Sequence, residues 1–315
     1  MEEKKTDISK IKSYAIKFAI FIALFFIIDY AISTFLTTGL KKYYGLDKPA
    51  ELALVGHSHT MLGLDKQAME EALNIRVGKY AIEGANVMDR FTMIKHFVNS
   101  NGESLKAVTY DVDAWFITVE GLSLNSYVLF YPFLDDKDIN EHVKKGAIES
   151  GDKVALTGYY VKKFIRTARF IDLNLNGSMR GWLGFYSNLK IGSLDVEAYE
   201  KRIAADDFQH IGFDEGYRKV FEEMLDYTAE HNIKLILLGI PTVGPLNRAE
   251  PEKYSQAMAM LQGYADRYDN VYFLDYNPEY EDQYDIFYDP VHLNPKGNEV
   301  ITKRVVEDLK QLNIF

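Results

Sequence analysis

The chain has no cysteine in 315 residues. That excludes disulfides, thiolate zinc sites and cysteine nucleophiles together. It also lacks a basic balance. Asp and Glu number 46 against 36 Lys and Arg, a net charge of −10 at pH 7. Nucleic-acid binders carry a basic face, so no nucleic-acid partner is expected. There is no internal repeat and no low-complexity segment. Charge is nearly missing from one place only, residues 14–36, "YAIKFAIFIALFFIIDYAISTFL".

That segment is the strongest feature of the chain. Its 23 residues as a helix span roughly 35 Å, enough for a hydrocarbon core of about 30 Å. Lys4, Lys5, Lys10, Lys12 and Lys17 precede or enter it, and Lys41, Lys42 and Lys48 follow. The excess before the run predicts a cytoplasmic tail over 1–13, a transmembrane helix over 14–36 and the remainder outside the cell membrane. No small-residue cleavage site follows, which favours an anchor over a signal peptide. A buried soluble helix is the other reading. Asp29 lies inside the span, where a carboxylate is costly. Two readings suit it: the outer end of a tilted helix, or contact with a second membrane protein. The polar residues 37–51 read as a stalk.

From Leu52 the pattern alternates. Strands are expected at 52–56, 76–84, 106–113, 233–243 and 270–276. Helices are expected at 64–75, 87–100, 215–232, 250–268 and from about Gly297. The expected fold is α/β, a flavodoxin-like three-layer parallel sheet over 52–315. Between about 117 and 213 the alternation fades into an aromatic-rich helical insertion. It is read either as part of a substrate face or as a packing elaboration.

Ligands of open parallel sheets bind beyond the carboxyl ends of the strands. Ser58 in "GHSHT" follows the first strand, and Gly84 and Asn86 follow the second. "DPVHLNPKG", which follows the last, holds Asp289 and His292. A serine hydroxyl needs a base to attack a carbonyl at neutral pH. His292 is the candidate base and Asp289 its orienting acid. The plain alternatives are a capping serine and a surface Asp–His pair. His57 and His59 could chelate a metal, but no third ligand has an evident spacing. They are expected to line the turn or bind substrate, with no metal and no cofactor. His96, His142, His210 and His231 have no evident partner.

"GHSHT" followed by "DPVHLNPKGNEVIT" resembles the SGNH/GDSL-like hydrolase superfamily, nearest to a membrane-anchored branch with G-x-S-H-T in its first block. The resemblance covers Leu52 to about Asp113 and Ile233 to the end, and leaves the insertion unmatched. It implies Ser58 as nucleophile, His292 as base, Asp289 as orienting acid and Gly84 as a glycine oxyanion donor. The asparagine of the third block, Gly-x-Asn-Asp, is missing from "TYDVDAWF". Asn86 is the candidate replacement. Asp113 cannot donate while ionised. The branch is associated with acyl transfer onto cell-surface or exported polysaccharides, D-alanyl transfer to lipoteichoic acid included, often beside a multi-span membrane acyltransferase. The expectation is therefore an extracytoplasmic serine esterase or O-acyltransferase acting on a glycan or glycan-linked ester. The alternative is a non-catalytic glycan-binding or accessory subunit of a membrane acyltransferase system.

Overall fold

The computed structural model describes residues 2–119 and 125–315, with side chains from residue 10 onward. The chain opens with one uninterrupted helix, α1 (Glu2–Tyr44). Its stretch Lys10–Tyr44 is the one helix among the described residues long and apolar enough to cross a membrane. Side chains from Ile11 to Ile28 are exposed.

The sheet follows as β1 (Leu52–Gly56), β2 (Val77–Ala81), β3 (Ala107–Val112), β4 (Lys234–Gly239) and β5 (Val271–Asp275). All neighbours are parallel, in the order β2-β1-β3-β4-β5. This is the flavodoxin-like doubly wound order, as the alternation predicts. Every residue of β1, β2 and β3 is buried, as expected of strands covered on both faces.

The connecting helices are α2 (Ser58–Gly63), α3 (Lys66–Leu73) and α4 (Val87–Asn101), then, after the insertion, α9 (Glu215–Glu230), α10 (Gly244–Asn247), α11 (Pro251–Arg267), α12 (Asn277–Tyr280) and α13 (Pro295–Gln311). The four-helix insertion holds α5 (Lys137–Glu149), α6 (Lys153–Phe164), α7 (Asp172–Leu183) and α8 (Val196–Ala204). On one face α4 packs against α9, and Phe221 of α9 meets Tyr264 of α11 at 5.4 Å between ring centroids. On the other face α13 packs against α3. Helix starts follow their caps. Asn86 accepts from the Asp89 N–H at 3.0 Å while Asp89 accepts from the Asn86 N–H at 2.9 Å. That is a reciprocal capping box.

One expectation about the N-terminal region needs correction, and one open reading gains a partner. The segment 37–51, read as a stalk, is packed on the domain. It is helical to Tyr44, and Leu40, Tyr44, Leu46 and Ala50 are buried in the core. Its few apolar side chains all find partners, which composition alone does not reveal. Asp29 is held within the chain. Its carboxylate accepts from the Arg166 and Thr167 N–H groups, both at 2.8 Å, and from the Thr167 hydroxyl at 2.5 Å. A carboxylate stacked on three donors at the start of a 3₁₀ turn needs no second protein.

Candidate active site

The first half of the site is a tight turn. β1 delivers Gly56, the chain turns at His57, and Ser58 opens α2. Gly56 has no alternative, because a Cβ there would collide with Thr60 Oγ1 and Asp111 Oδ1. The Asp111 carboxylate, at the end of β3, closes the turn. Its Oδ2 accepts from the His57 and Thr60 N–H groups, each at 3.1 Å. Arg90 of α4 donates through Nη1 to Asp111 Oδ1 at 3.0 Å and to its carbonyl at 2.8 Å. Both side chains are fully buried. Burial works against ionisation of Asp111, but His57 and Arg90 beside it, with the Thr60 N–H, hold its carboxyl below the usual range.

The second half is a small antiparallel ribbon, β6 (Phe287–Asp289) and β7 (His292–Leu293). Asp289 Oδ1 accepts from the Val291 and His292 N–H groups at 3.0 and 2.9 Å, which fixes the turn. Asn294 ties the ribbon to α13. It caps the helix by accepting from the Gly297 N–H at 3.1 Å and donates to the Asp285 carbonyl at 2.9 Å. Asn298 then donates to the Leu62 carbonyl of α2 at 2.7 Å, joining the two halves.

The result is a continuous chain of three groups. His292 Nε2 lies 2.8 Å from Ser58 Oγ, across 234 positions of sequence, and His292 Nδ1 lies 2.8 Å from Asp289 Oδ2. Burial opposes ionisation of Asp289, yet hydrogen bonds from His292 and the two backbone N–H groups hold its carboxyl below the ordinary range. An ionised Asp289 selects the His292 tautomer with the proton on Nδ1. That leaves Nε2 free to accept from the serine.

Ser58 and His292 open into a cavity of about 310 Å³. Gly84, His57 and His59 line it. Gly84 has φ +73°, a conformation that favours glycine. The insertion contributes Tyr199 and Gln209, and Trp115 donates to the Gln209 carbonyl at 2.9 Å. Asn86 is the exception. Its side-chain oxygen is committed to the α4 cap, its Nδ2 donates to Ser126 Oγ at 3.4 Å, and it lines a separate cavity with Ser126 and His142. The cap outcompetes the proposed oxyanion role. Arg90, which sequence reading missed, lines the Ser58 cavity instead.

Burial pushes His57 and His59 down to about 4, so both are neutral at pH 7. Asp113 adds a third group to the pair. His59 Nδ1 lies 3.6 Å and His57 Nε2 4.0 Å from Asp113 Oδ2. Ligand atoms of the three lie within 4.8 Å of one another, and the donor set is one that zinc accepts. Burial raises the Asp113 carboxyl, against the pull of His57 and Arg90. Arg90 already supplies a fixed positive charge to this cluster. The other histidines each have a partner. Tyr80 Oη meets His96 Nδ1 at 3.3 Å and Asp89 Oδ1 meets His142 Nε2 at 2.8 Å. His210 sits between Asp206 and Glu250, and His231 Nδ1 lies 2.8 Å from the Tyr227 carbonyl.

A parallel α/β sheet with a Ser–His–Asp chain at the carboxyl ends of its strands thus defines the class of molecule. No family model and no curated protein matches the chain. A Bacteroides fragilis protein described as a candidate acylhydrolase aligns over 86% of this chain and 94% of its own, at 12% identity and a TM-score of 0.40. A Streptococcus pneumoniae protein described as a candidate platelet activating factor aligns over 92% of this chain and 99% of its own, at 13% identity and a TM-score of 0.36. At such scores the functional reading rests on the geometry of the site.

Proposed function

We propose that the protein is a membrane-anchored serine enzyme of acyl transfer, an esterase or O-acyltransferase acting on a cell-surface or exported glycan. The observation that carries this reading is the hydrogen-bonded chain Ser58–His292–Asp289. In the proposed mechanism Ser58 Oγ attacks the acyl carbonyl while its proton passes to His292 Nε2. Asp289 stabilises the imidazolium that forms. The tetrahedral oxyanion is met by backbone N–H groups beside Ser58 and Gly84, in the positive field of Arg90. Collapse breaks the bond to the leaving oxygen, which takes the proton from His292. A sugar hydroxyl or water then gives its proton to His292 and attacks the acyl-serine. This releases the ester or acid and restores Ser58.

Three supports bear on substrate and place. The "GHSHT" and "DPVHLNPKG" motifs resemble those of anchored proteins that acylate polysaccharides. Trp115 and Tyr199 line the cavity with aromatic rings against which a sugar can pack. The apolar helix with lysines at its start supports a single span, a cytoplasmic N-terminus and an outer catalytic domain. A multi-span acyltransferase is the corresponding partner.

The test is labelling of the full-length chain in detergent with a fluorophosphonate. Labelling is expected in the wild type and lost in Ser58→Ala and in His292→Ala. No labelling, with unchanged cellular function of Ser58→Ala, supports the non-catalytic accessory role instead. The diversion of Asn86 into a helix cap favours that second reading.

A further inference from the structure

The insertion has an unusual outer surface. Beyond α1, the described residues hold 14 exposed large apolar side chains, and 13 of them fall within 148–191. The most exposed include Val154, Phe164, Leu173, Leu183, Phe185 and Ile191. Single exposed apolar residues need no explanation, but one concentrated region does. The α/β sheet domain carries almost none of this surface.

The same region is seated on α1. Gly177 and Gly181 of α7 form a G-x-x-x-G pair against α1, Gly181 on Gly39 and Gly177 on Leu40 and Tyr43. A Cβ on Gly39 or Gly181 would run into the backbone of the other helix. This is how helices approach one another in lipid. Trp182 stacks on Phe35 at 5.0 Å, donates to the Phe35 carbonyl at 3.1 Å, and has Lys42 Nζ 3.7 Å from its ring centre. One contact lies nearer the apolar end of α1, where Arg166 and Thr167 bind Asp29. Asp29 and Leu40 are eleven residues apart, roughly 16 Å along the helix.

These anchors conflict with a bare helix immersed over 14–36. Either the insertion is wetted by lipid, or the outer edge of the bilayer stops near Asp29. With the edge near Asp29 only Phe164, two residues before Arg166, reaches the boundary; with the edge near Gly39 the exposed side chains of α7 reach it too, and the concentration of apolar surface on the insertion favours the second. Leu173, Met179 and Leu183 of α7 are exposed, and Trp182, seated against α1, keeps 37% of its surface exposed. Lys162, Lys163 and Arg166 precede α7 in the chain, and Arg180 lies within it. Apolar and aromatic side chains rimmed by long basic ones match an interfacial helix that lies on anionic lipid.

We infer that α6 and α7 form a collar that rests in the outer interface of the bilayer, with Phe164, Leu173, Met179, Trp182 and Leu183 in the acyl–headgroup boundary. The collar rests on the reading of α1 as a membrane span. It fixes the catalytic domain against the membrane, and with it the reach of the site to substrates carried at the surface.

Tryptophan reporters test this, because the chain has only Trp115 and Trp182. Full-length variants, each with a single tryptophan, are placed in nanodiscs of phosphatidylcholine and phosphatidylglycerol brominated on their acyl chains. The reporters are Trp182 (in Trp115→Phe), Phe164→Trp and Phe21→Trp (both in Trp115→Phe/Trp182→Phe), and Trp115 (in Trp182→Phe) as the distant control. The expected result is loss of most emission at 21, 164 and 182 and no loss at 115, with near-UV circular dichroism unchanged. Quenching at 21 but at neither 164 nor 182 overturns the collar and leaves the span standing. The face would then be covered by protein or water. Absence of quenching at 21 as well overturns both.

Discussion

Replacing Asp111 by Asn tests whether the turn under Ser58 is held from β3. The side chain keeps its size, but one charged acceptor becomes an N–H donor aimed at donors. If the amide nitrogen takes the Oδ2 place, the His57 and Thr60 N–H groups lose their acceptor; if it takes the Oδ1 place, Arg90 Nη1 keeps only the Asp111 carbonyl; either way Arg90 loses its charged partner. Arg90 is 2% exposed. Removing one member of a buried ion pair costs about 3–5 kcal/mol, because the remaining charge is left unpaired. That is a large share of a stability of roughly 5–15 kcal/mol, and lowers Tm by on the order of 10 °C. The assay is thermal unfolding of the full chain in detergent, followed by near-UV circular dichroism. Fluorophosphonate labelling is measured well below Tm. Labelling should fall as well, since the N–H of His57 and that of Thr60 set the backbone on either side of Ser58. Arg90→Met/Asp111→Asn should recover part of the stability, having no stranded charge, without recovering the labelling rate. A loss under about 1 kcal/mol with unchanged labelling would refute the claim that Asp111 and Arg90 organise the nucleophile turn.

Three further outcomes follow from the site. His57 and His59 are held at about 4, below the 6.5 of a free imidazole. The unfolded chain therefore binds more protons between those values. Stability is lost as pH falls from about 6.5 toward 4, by a few kcal/mol for the pair. A Tm that stays flat over that window contradicts the burial of neutral imidazoles, and His59→Gln should shallow the fall. Asp289→Asn should slow labelling by on the order of 10³–10⁴-fold while Ser58 stays in place, because the His292 tautomer is no longer selected. A change under tenfold would show that the acid is dispensable. Chelation with EDTA should leave labelling and Tm unchanged if Arg90 serves the cluster of Asp113, His57 and His59. A loss restored by zinc would assign a metal there.

The legible parts of this molecule are the ones whose signal is local. Buried strands such as 52–56 and 234–239 read as short apolar runs. Ser58, Asp289 and His292 were legible because parallel topology sends strand ends to one edge, and the structure joins them. What stayed hidden depends on contacts between distant segments. Arg90 and Asp111 look like a surface arginine and a strand acid until the fold buries them against each other. The one available signal was an acid inside the apolar strand "AVTYDV". Asn86 was placed near the nucleophile by position alone, and its cap with Asp89 decided otherwise. Asp29 looked like a defect in a span until the insertion, 137 residues on, supplied its donors.

The central claim is that Ser58 forms a covalent acyl intermediate. Rapid mixing of the full-length chain with p-nitrophenyl acetate, followed by acid quenching and peptide mass mapping, tests it most directly. The account predicts a burst of one p-nitrophenolate per chain and an acetyl group on the peptide that contains Ser58. Both should be absent in Ser58→Ala. Turnover without a burst, or an acetyl group on another residue that survives Ser58→Ala, would contradict it.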